Sequence, residues 1–165
     1  MKHLWSPWRM AYIESTPTDS ACIFCDYLKE EDGPENLILY RGNHAFVILN
    51  RFPYTNGHMM VVPYEHVSSL EKLDRDTLTE LMLLTNQTTA ILRHVYNADS
   101  FNIGINIGLP AGAGVADHVH IHVVPRWSGD TNFMSTTAGT RVIPEALEQT
   151  YTRLKAGWEE LDPKN

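Results

Sequence analysis

Only two of the 165 residues are cysteine, so no disulfide framework holds this chain together. It has no apolar run long enough to cross a bilayer. It also contains no internal repeat and no low-complexity tract. Positive charge is scarce: 13 Lys and Arg stand against 20 Asp and Glu, a formal net charge of −7 with eight histidines counted neutral. That balance argues against tracking a nucleic-acid backbone, which needs Lys and Arg to neutralise phosphates. A small phosphorylated ligand needs only a few local donors and stays open. The opening run MKHLWSPWRMAYIES carries charge throughout and lacks the continuous apolar core of a signal peptide. The expectation is a cytoplasmic protein with no membrane and no nucleic-acid partner. With 43% hydrophobic and 20% charged residues the composition is globular. The length suits a single domain over 1–165, with an N-terminal extension (1–20) and a C-terminal tail and helix (130–165).

What the chain does have is a strand-like run, DHVHIHVVPRW, with histidines at 118, 120 and 122. Alternation in a β-strand would put the three imidazoles on one face and Val119, Ile121 and Val123 on the other, in the core. Imidazole serves near neutral pH as nucleophile, proton carrier or metal ligand. A strand with one apolar and one imidazole face therefore suits the wall of a reaction site; a merely solvated strand is the plainer alternative.

Other elements follow from period and punctuation. Residues 22–30 suggest a short helix. Leu37–Tyr40, Ala45–Asn50 and His58–Val62 suggest strands, the third after the turn YTNG. Residues 75–97 form the clearest helix, with Asp74 as N-cap. Its apolar positions, Leu78, Leu81, Met82, Thr85, Leu92 and Tyr96, widened by Leu84, Ile91 and Val95, cover about half the circumference, more than the ~100° stripe of a surface helix. That width suggests a second partner beyond the sheet, such as another subunit. Phe101–Ile107 reads as a fourth strand, about 117–124 as the fifth, and 144–161 as a terminal helix with Pro144 in its first turn. Short connections argue for an α+β arrangement with an antiparallel sheet.

Between the last two strands lies Gly108-Leu-Pro-Ala-Gly-Ala-Gly114. Gly112 and Gly114 lack Cβ, so backbone N–H groups there and at Ala113 could cradle an anion; a plain flexible turn is the alternative. The cysteines, Cys22 and Cys25, lie in CIFC. In a reducing compartment this spacing is half a metal site or a redox pair, and no strand precedes it as redox chemistry expects.

HVHIHVV matches the pattern His-φ-His-φ-His-φ-φ and resembles the histidine-triad (HIT) superfamily of nucleotide hydrolases and transferases. NRFPYTNGHMMVVPYEH (50–66) is similar to the family's segment ending in Gly-His, and CIFC to the opening of many bacterial members. LWSPWRMAY and RWSGDTNFM resemble the bacterial branch containing diadenosine tetraphosphate phosphorylases. The resemblance implies a single HIT domain: a five-stranded antiparallel sheet with one long helix and a C-terminal helix, the sheet extended across a homodimer. It implies a nucleotide substrate, with His120 as nucleophile, His122 on the α-phosphate and His58 supporting the imidazoles. Asn50 would hold ribose hydroxyls, and Asn106 phosphate or leaving group. Cys22, Cys25, His66 and His118 would bind a structural zinc, with His44 as a substitute for His66; no catalytic metal or organic cofactor is required.

The activity implied is cleavage of dinucleoside polyphosphates such as diadenosine tetraphosphate through a nucleotidyl-histidine, released by water or phosphate. The alternatives are an adenosine phosphoramidate or sulfate hydrolase of the same fold, a nucleotide-binding regulatory protein with little turnover, and a metal enzyme using all three histidines. One departure stands out: the loop before the triad reads Gly112-Ala113-Gly114-Val115, without the Ser or Thr many members carry. Trp127 and Phe133, after the histidine strand, would flank a base or pack in the core, and Arg126 would contact phosphate or solvent. Met59, Met60 and Met82 would be packing residues.

Overall fold

The apolar runs AFVIL and MMVVP become β2 (Ala45–Leu49) and β3 (Met59–Pro63), every residue of them buried. A computed structural model describes residues 22–130 and 145–161. In chain order its elements are α1 (Ile23–Tyr27), β1 (Ile38–Arg41), β2, β3, α2 (Arg75–Tyr96), β4 (Ser100–Ile105), β5 (Ile121–Arg126) and α3 (Leu147–Leu161). Single 3-10 turns lie at Leu70–Lys72 and Leu109–Ala111. The five strands form one antiparallel sheet in the order β1-β2-β3-β5-β4. This is the expected α+β architecture. The expectations at Phe133 and Pro144 lie outside the described residues.

Register assigns the two faces. Phe46 pairs with Val62, Ile48 with Met60, Met60 with His122 and His122 with Gly104, so these side chains share one face. Val47, Val61, Ile121, Val123 and Ile103 take the other. Helix α2 packs across β2, β3 and β5, and α3 lies beside it against β1. The two helices approach at Gly157, where a Cβ would come within 2.3 Å of Val95 Cγ2. On the imidazole face α1 lays Phe24 edge-on against Phe46.

Asp74 caps α2 as expected: its carboxylate accepts the Thr77 N–H at 2.7 Å. Asn97 ends the helix in the left-handed region, φ 49°. The buried arc of α2 runs through Thr77, Leu81, Leu84, Thr85, Thr88, Ile91 and Leu92. Met82 is 62% exposed, so it is not a packing residue there. It lies one residue round from Leu81, about 100° off the buried line, and Leu83 beside it is equally open.

The histidine strand begins later than its pattern suggests. The β3–β5 ladder stops at Val61 and Ile121, and β5 runs on through Pro125 to Arg126. The missing N–H of Pro125 costs no bond to β3, whose last pair is Met59 with Val123. Before Ile121 the chain leaves the ladder: the Val119 N–H turns to the Val67 carbonyl at 2.7 Å. His118 and His120 thus precede β5, outside its ladder, and Phe24 packs on both from the imidazole face.

Candidate active site and metal centre

That departure splits the triad between two sites. Val119, Ile121 and Val123 are buried as expected. His120 and His122 stay together, ring centroids 4.8 Å apart and nearly perpendicular. His118 is fully buried and faces elsewhere, 5.1 Å from the His66 ring.

Hydrogen-bond partners fix where each ring proton sits. A carbonyl only accepts, so at 2.9 Å from the His118 oxygen Nδ1 of His120 carries the proton. Its Nε2 is therefore unprotonated, and among the described residues no donor takes the lone pair. The Tyr54 backbone N–H donates to His58 Nδ1 at 3.1 Å, which places the His58 proton on Nε2. That Nε2–H donates to His122 Nδ1 at 3.0 Å. His122 therefore carries its own proton on Nε2. Each ring thus has one unprotonated nitrogen; those of His58 and His122 accept hydrogen bonds, while among the described residues no donor takes Nε2 of His120, which lies beside the Nε2–H of His122.

All three rings are held neutral. Burial, then the neighbouring His122 and His120, pushes His58 down to about 3. Burial and His120 push His122 down to about 4. Burial lowers His120 too, against the opposing pull of the His118 carbonyl.

The surroundings are built from the turn between β2 and β3. Gly57 takes φ +73°, which its neighbours reach only with strain, and a Cβ there would meet Leu92 at 3.0 Å. Asn56 donates to Glu145, which also receives Tyr96, Thr150 and Arg153. The turn is thereby tied to both helices. Tyr54 lays its ring 4.6 Å from His58 and 6.0 Å from His122 and remains half exposed. Asn50 joins the group: its amide nitrogen is 3.3 Å from His58 Nδ1 and its oxygen accepts the Phe52 N–H. Asn106 follows directly on Ile105, the partner of Ile121, at the same sheet end as His120. Opposite His122 on β4 stands Gly104, where a Cβ would meet no atom of the described residues within 4 Å. That leaves open space beside the imidazoles.

Two expected substrate contacts are not brought there. The Trp127 indole donates to the Tyr96 carbonyl at 3.0 Å and its ring packs on the core. It stands five residues beyond His122, roughly 16 Å along an extended chain. In the glycine loop, Gly112 is left-handed at φ +89°, but the N–H groups of Ala111, Gly112 and Ala113 are spent on the carbonyls of Gly108 and Leu109. The 3-10 turn satisfies its own donors, so the anion cradle contracts to Gly114 and beyond. Arg126 is held by Asp130 and Asn102.

The second site gathers Cys22, Cys25, His66 and His118, whose ligand atoms all lie within 4.8 Å of one another. His118 Nε2 donates to the Pro63 carbonyl at 2.9 Å, which frees Nδ1. That Nδ1 is 3.2 Å from Cys22 Sγ and 3.8 Å from Cys25 Sγ, and His66 Nδ1 is 3.3 Å from Cys25 Sγ. Tetrahedral Zn²⁺ bonds of ~2.3 Å to sulfur and ~2.0 Å to nitrogen require ligand spacings of about 3.3–3.8 Å. Three of the spacings lie close to that range, and the two thiols and two imidazoles match that donor set. His66, not His44, supplies the fourth position.

The sequence pattern missed Phe24. Its ring, between the two cysteines, lies edge-on 5.3 Å from His118 and 5.1 Å from His120. The signal was present in CIFC, since the residues inside a two-cysteine turn must sit against whatever the turn closes on.

Comparison with known proteins follows the same lines. The HIT domain family matches residues 33–129, beginning just after the two cysteines. The AP-4-A phosphorylase of Mycobacterium tuberculosis is 38% identical over 166 residues, covering 96% of this chain and 85% of that protein. The asymmetrical bis(5'-nucleosyl)-tetraphosphatase of Schizosaccharomyces pombe is 33% identical over 93 residues, 56% of this chain and 50% of that one. Among solved structures, a Zn-bound histidine triad family protein from Mycobacterium smegmatis superposes with TM-score 0.70 at 28% identity, covering 88% of this chain and 98% of that one. Motif, fold and similarity over nearly the whole length agree: the chain belongs to the HIT domain family.

Proposed function

We propose that this protein cleaves dinucleoside polyphosphates, diadenosine tetraphosphate in particular, through a covalent nucleotidyl-His120 intermediate. The observation that carries the reading is the proton arrangement of the three rings: a free Nε2 on His120 beside an Nε2–H on His122. The likeness to the AP-4-A phosphorylase and the bis(5'-nucleosyl)-tetraphosphatase supports the substrate class.

In the first step His120 Nε2 attacks the α-phosphorus. The N–P bond forms, and the bond from phosphorus to the bridging oxygen of the leaving nucleotide breaks. His120 keeps its Nδ1–H, so the ring becomes cationic on bonding phosphorus. The His118 carbonyl, already in contact, stabilises that charge. His122 Nε2–H donates to the phosphoryl oxygens, with Gly114 from the loop. Asn50 holds ribose and Asn106 the phosphate chain. In the second step phosphate or water attacks phosphorus and frees His120. Cys22, Cys25, His66 and His118 would hold Zn²⁺, which when bound would supply a structural link between α1 and the segment before β5.

Product analysis tests the reading. Incubated with diadenosine tetraphosphate and inorganic phosphate, the protein yields ADP and ATP; with water as acceptor it yields AMP and ATP. Formation of neither pair would overturn it.

The active form we propose is a homodimer joined along β4. That strand is a sheet edge, and an open edge with apolar side chains invites pairing. Ile103 is 50% exposed on it, and Ile107 and Leu109 just beyond are open too. Light scattering should give twice the chain mass for the protein and the single chain mass for Ile103→Asp; a monomeric parent sinks the dimer.

A further inference from the structure

Every expected metal ligand lies within two residues of something that touches the nucleophile's segment. Cys22 and Cys25 flank Phe24, whose buried ring packs on both His118 and His120. His66 precedes Val67, whose carbonyl takes the Val119 N–H, the residue between those two histidines. His118 supplies the carbonyl that holds the His120 Nδ1–H. The segment so gripped lies outside the sheet ladder, which ends at Ile121. His122 is paired on both sides, with Met60 and Gly104, and both ladders stop at Ile121, one residue short of His120.

We infer that the metal centre positions the nucleophile, and that Phe24 is a positioning residue through which the Cys22–Cys25 turn sets the His120 ring. The inference rests on the zinc reading given above. Its physical basis is simple. One neutral tautomer of His120 is productive, the one with the proton on Nδ1, and it persists only while the His118 carbonyl and the Phe24 edge hold the ring. An aromatic edge against an imidazole restricts the ring without adding a competing hydrogen bond. Loosening the turn frees the ring to rotate and the tautomers to mix. The substrate contacts placed on His122, Asn50 and Asn106 stay in the sheet and at its strand ends. The loss thus falls on kcat rather than KM.

Untagged protein is assayed for zinc, then stripped with a chelator and reloaded. At each stage kcat and KM for diadenosine tetraphosphate are measured, and the ring nitrogen signals of His120 are recorded by ¹⁵N NMR. Loaded protein shows a single Nδ1–H tautomer. Stripping lowers kcat by about tenfold or more, in the range seen when groups supporting a metal ligand are removed; KM stays within about twofold, and the His120 signals shift toward a tautomer mixture. Zinc restores all three. Phe24→Leu, with zinc still bound, moves kcat and the His120 signals in the same direction. If stripping unfolds the chain, loaded Phe24→Leu decides. Protein that binds no zinc overturns the metal reading itself. Protein that binds zinc and keeps kcat and the His120 tautomer without it, or zinc-loaded Phe24→Leu that matches the parent in both, overturns the inference alone.

Discussion

His120→Ala loses on the order of 10⁴-fold or more in kcat, the scale expected when a covalent nucleophile is deleted. Substrate affinity holds, because the proposed ribose and phosphate contacts lie on Asn50, Asn106 and His122. His122→Ala is milder: it removes a donor to the phosphoryl oxygens, worth about 10²–10³-fold, and leaves the attacking nitrogen in place. The order of the two effects is the informative part. Both rings are neutral and within 4.8 Å of each other, so their chemistry alone does not rank them. Their partners do: a carbonyl holds the Nδ1–H of His120, and a donor occupies Nδ1 of His122. Mass spectrometry on protein quenched in alkali, where a P–N bond survives, shows the added nucleotide on His120. The mechanism fails if His120→Ala turns over normally, or if the adduct maps to His122.

Much of this was legible in the sequence because the residues concerned sit in regular structure. The apolar runs of β2 and β3, the cap at Asp74 and the turn before His58 are local signals, readable without knowing what they pack against. The pairing of His58 with His122 was legible from family resemblance alone, since 64 residues separate them. What was not legible is where β5 begins. Alternation of HVHIH is satisfied equally by a strand starting at 117 or at 121. The choice is made by Val67, which takes the Val119 N–H out of the ladder. That one bond resolves how His118 and His120, two residues apart, serve different sites. Of the two places open to Trp127, base or core, the structure shows the core: its indole N–H finds an acceptor in Tyr96 at the end of α2. The glycine loop suggested free donors because composition does not reveal that a 3-10 turn has already used them. Met82 alone of that apolar arc is exposed; the packed side of the helix runs through Leu81, Leu84 and Thr88.

The same buried imidazoles make the fold sensitive to acid. His58 lies at about 3 and His122 at about 4 in the folded chain, both lowered chiefly by burial. An unfolded histidine takes its proton near ~6.5. The folded values lie below the unfolded one, so as pH falls through ~6.5 the unfolded chain binds protons that the folded chain refuses. The stability is fully present above that pH and drains away below it, until the folded rings protonate near 4 and 3. Each imidazole costs up to about 1.4 kcal/mol per pH unit across its window. Glu145 acts in a separate window. Burial raises it, but hydrogen bonds from Tyr96, Arg153, Thr150 and Asn56 outweigh burial and bring it to about 2. Its contribution holds above ~4.5 and is lost only as pH falls toward 2. Release of a bound metal would add protons in the histidine window, so the clean measurement is a difference. Urea unfolding of the parent and of His58→Asn, each at a series of pH values from 7 to 4.5, should give slopes of stability against pH that differ by up to one proton, the parent being steeper. Equal slopes would mean that His58 is protonated in the folded chain, and the assignment of its Nδ1 as acceptor of the Tyr54 N–H would fall with it.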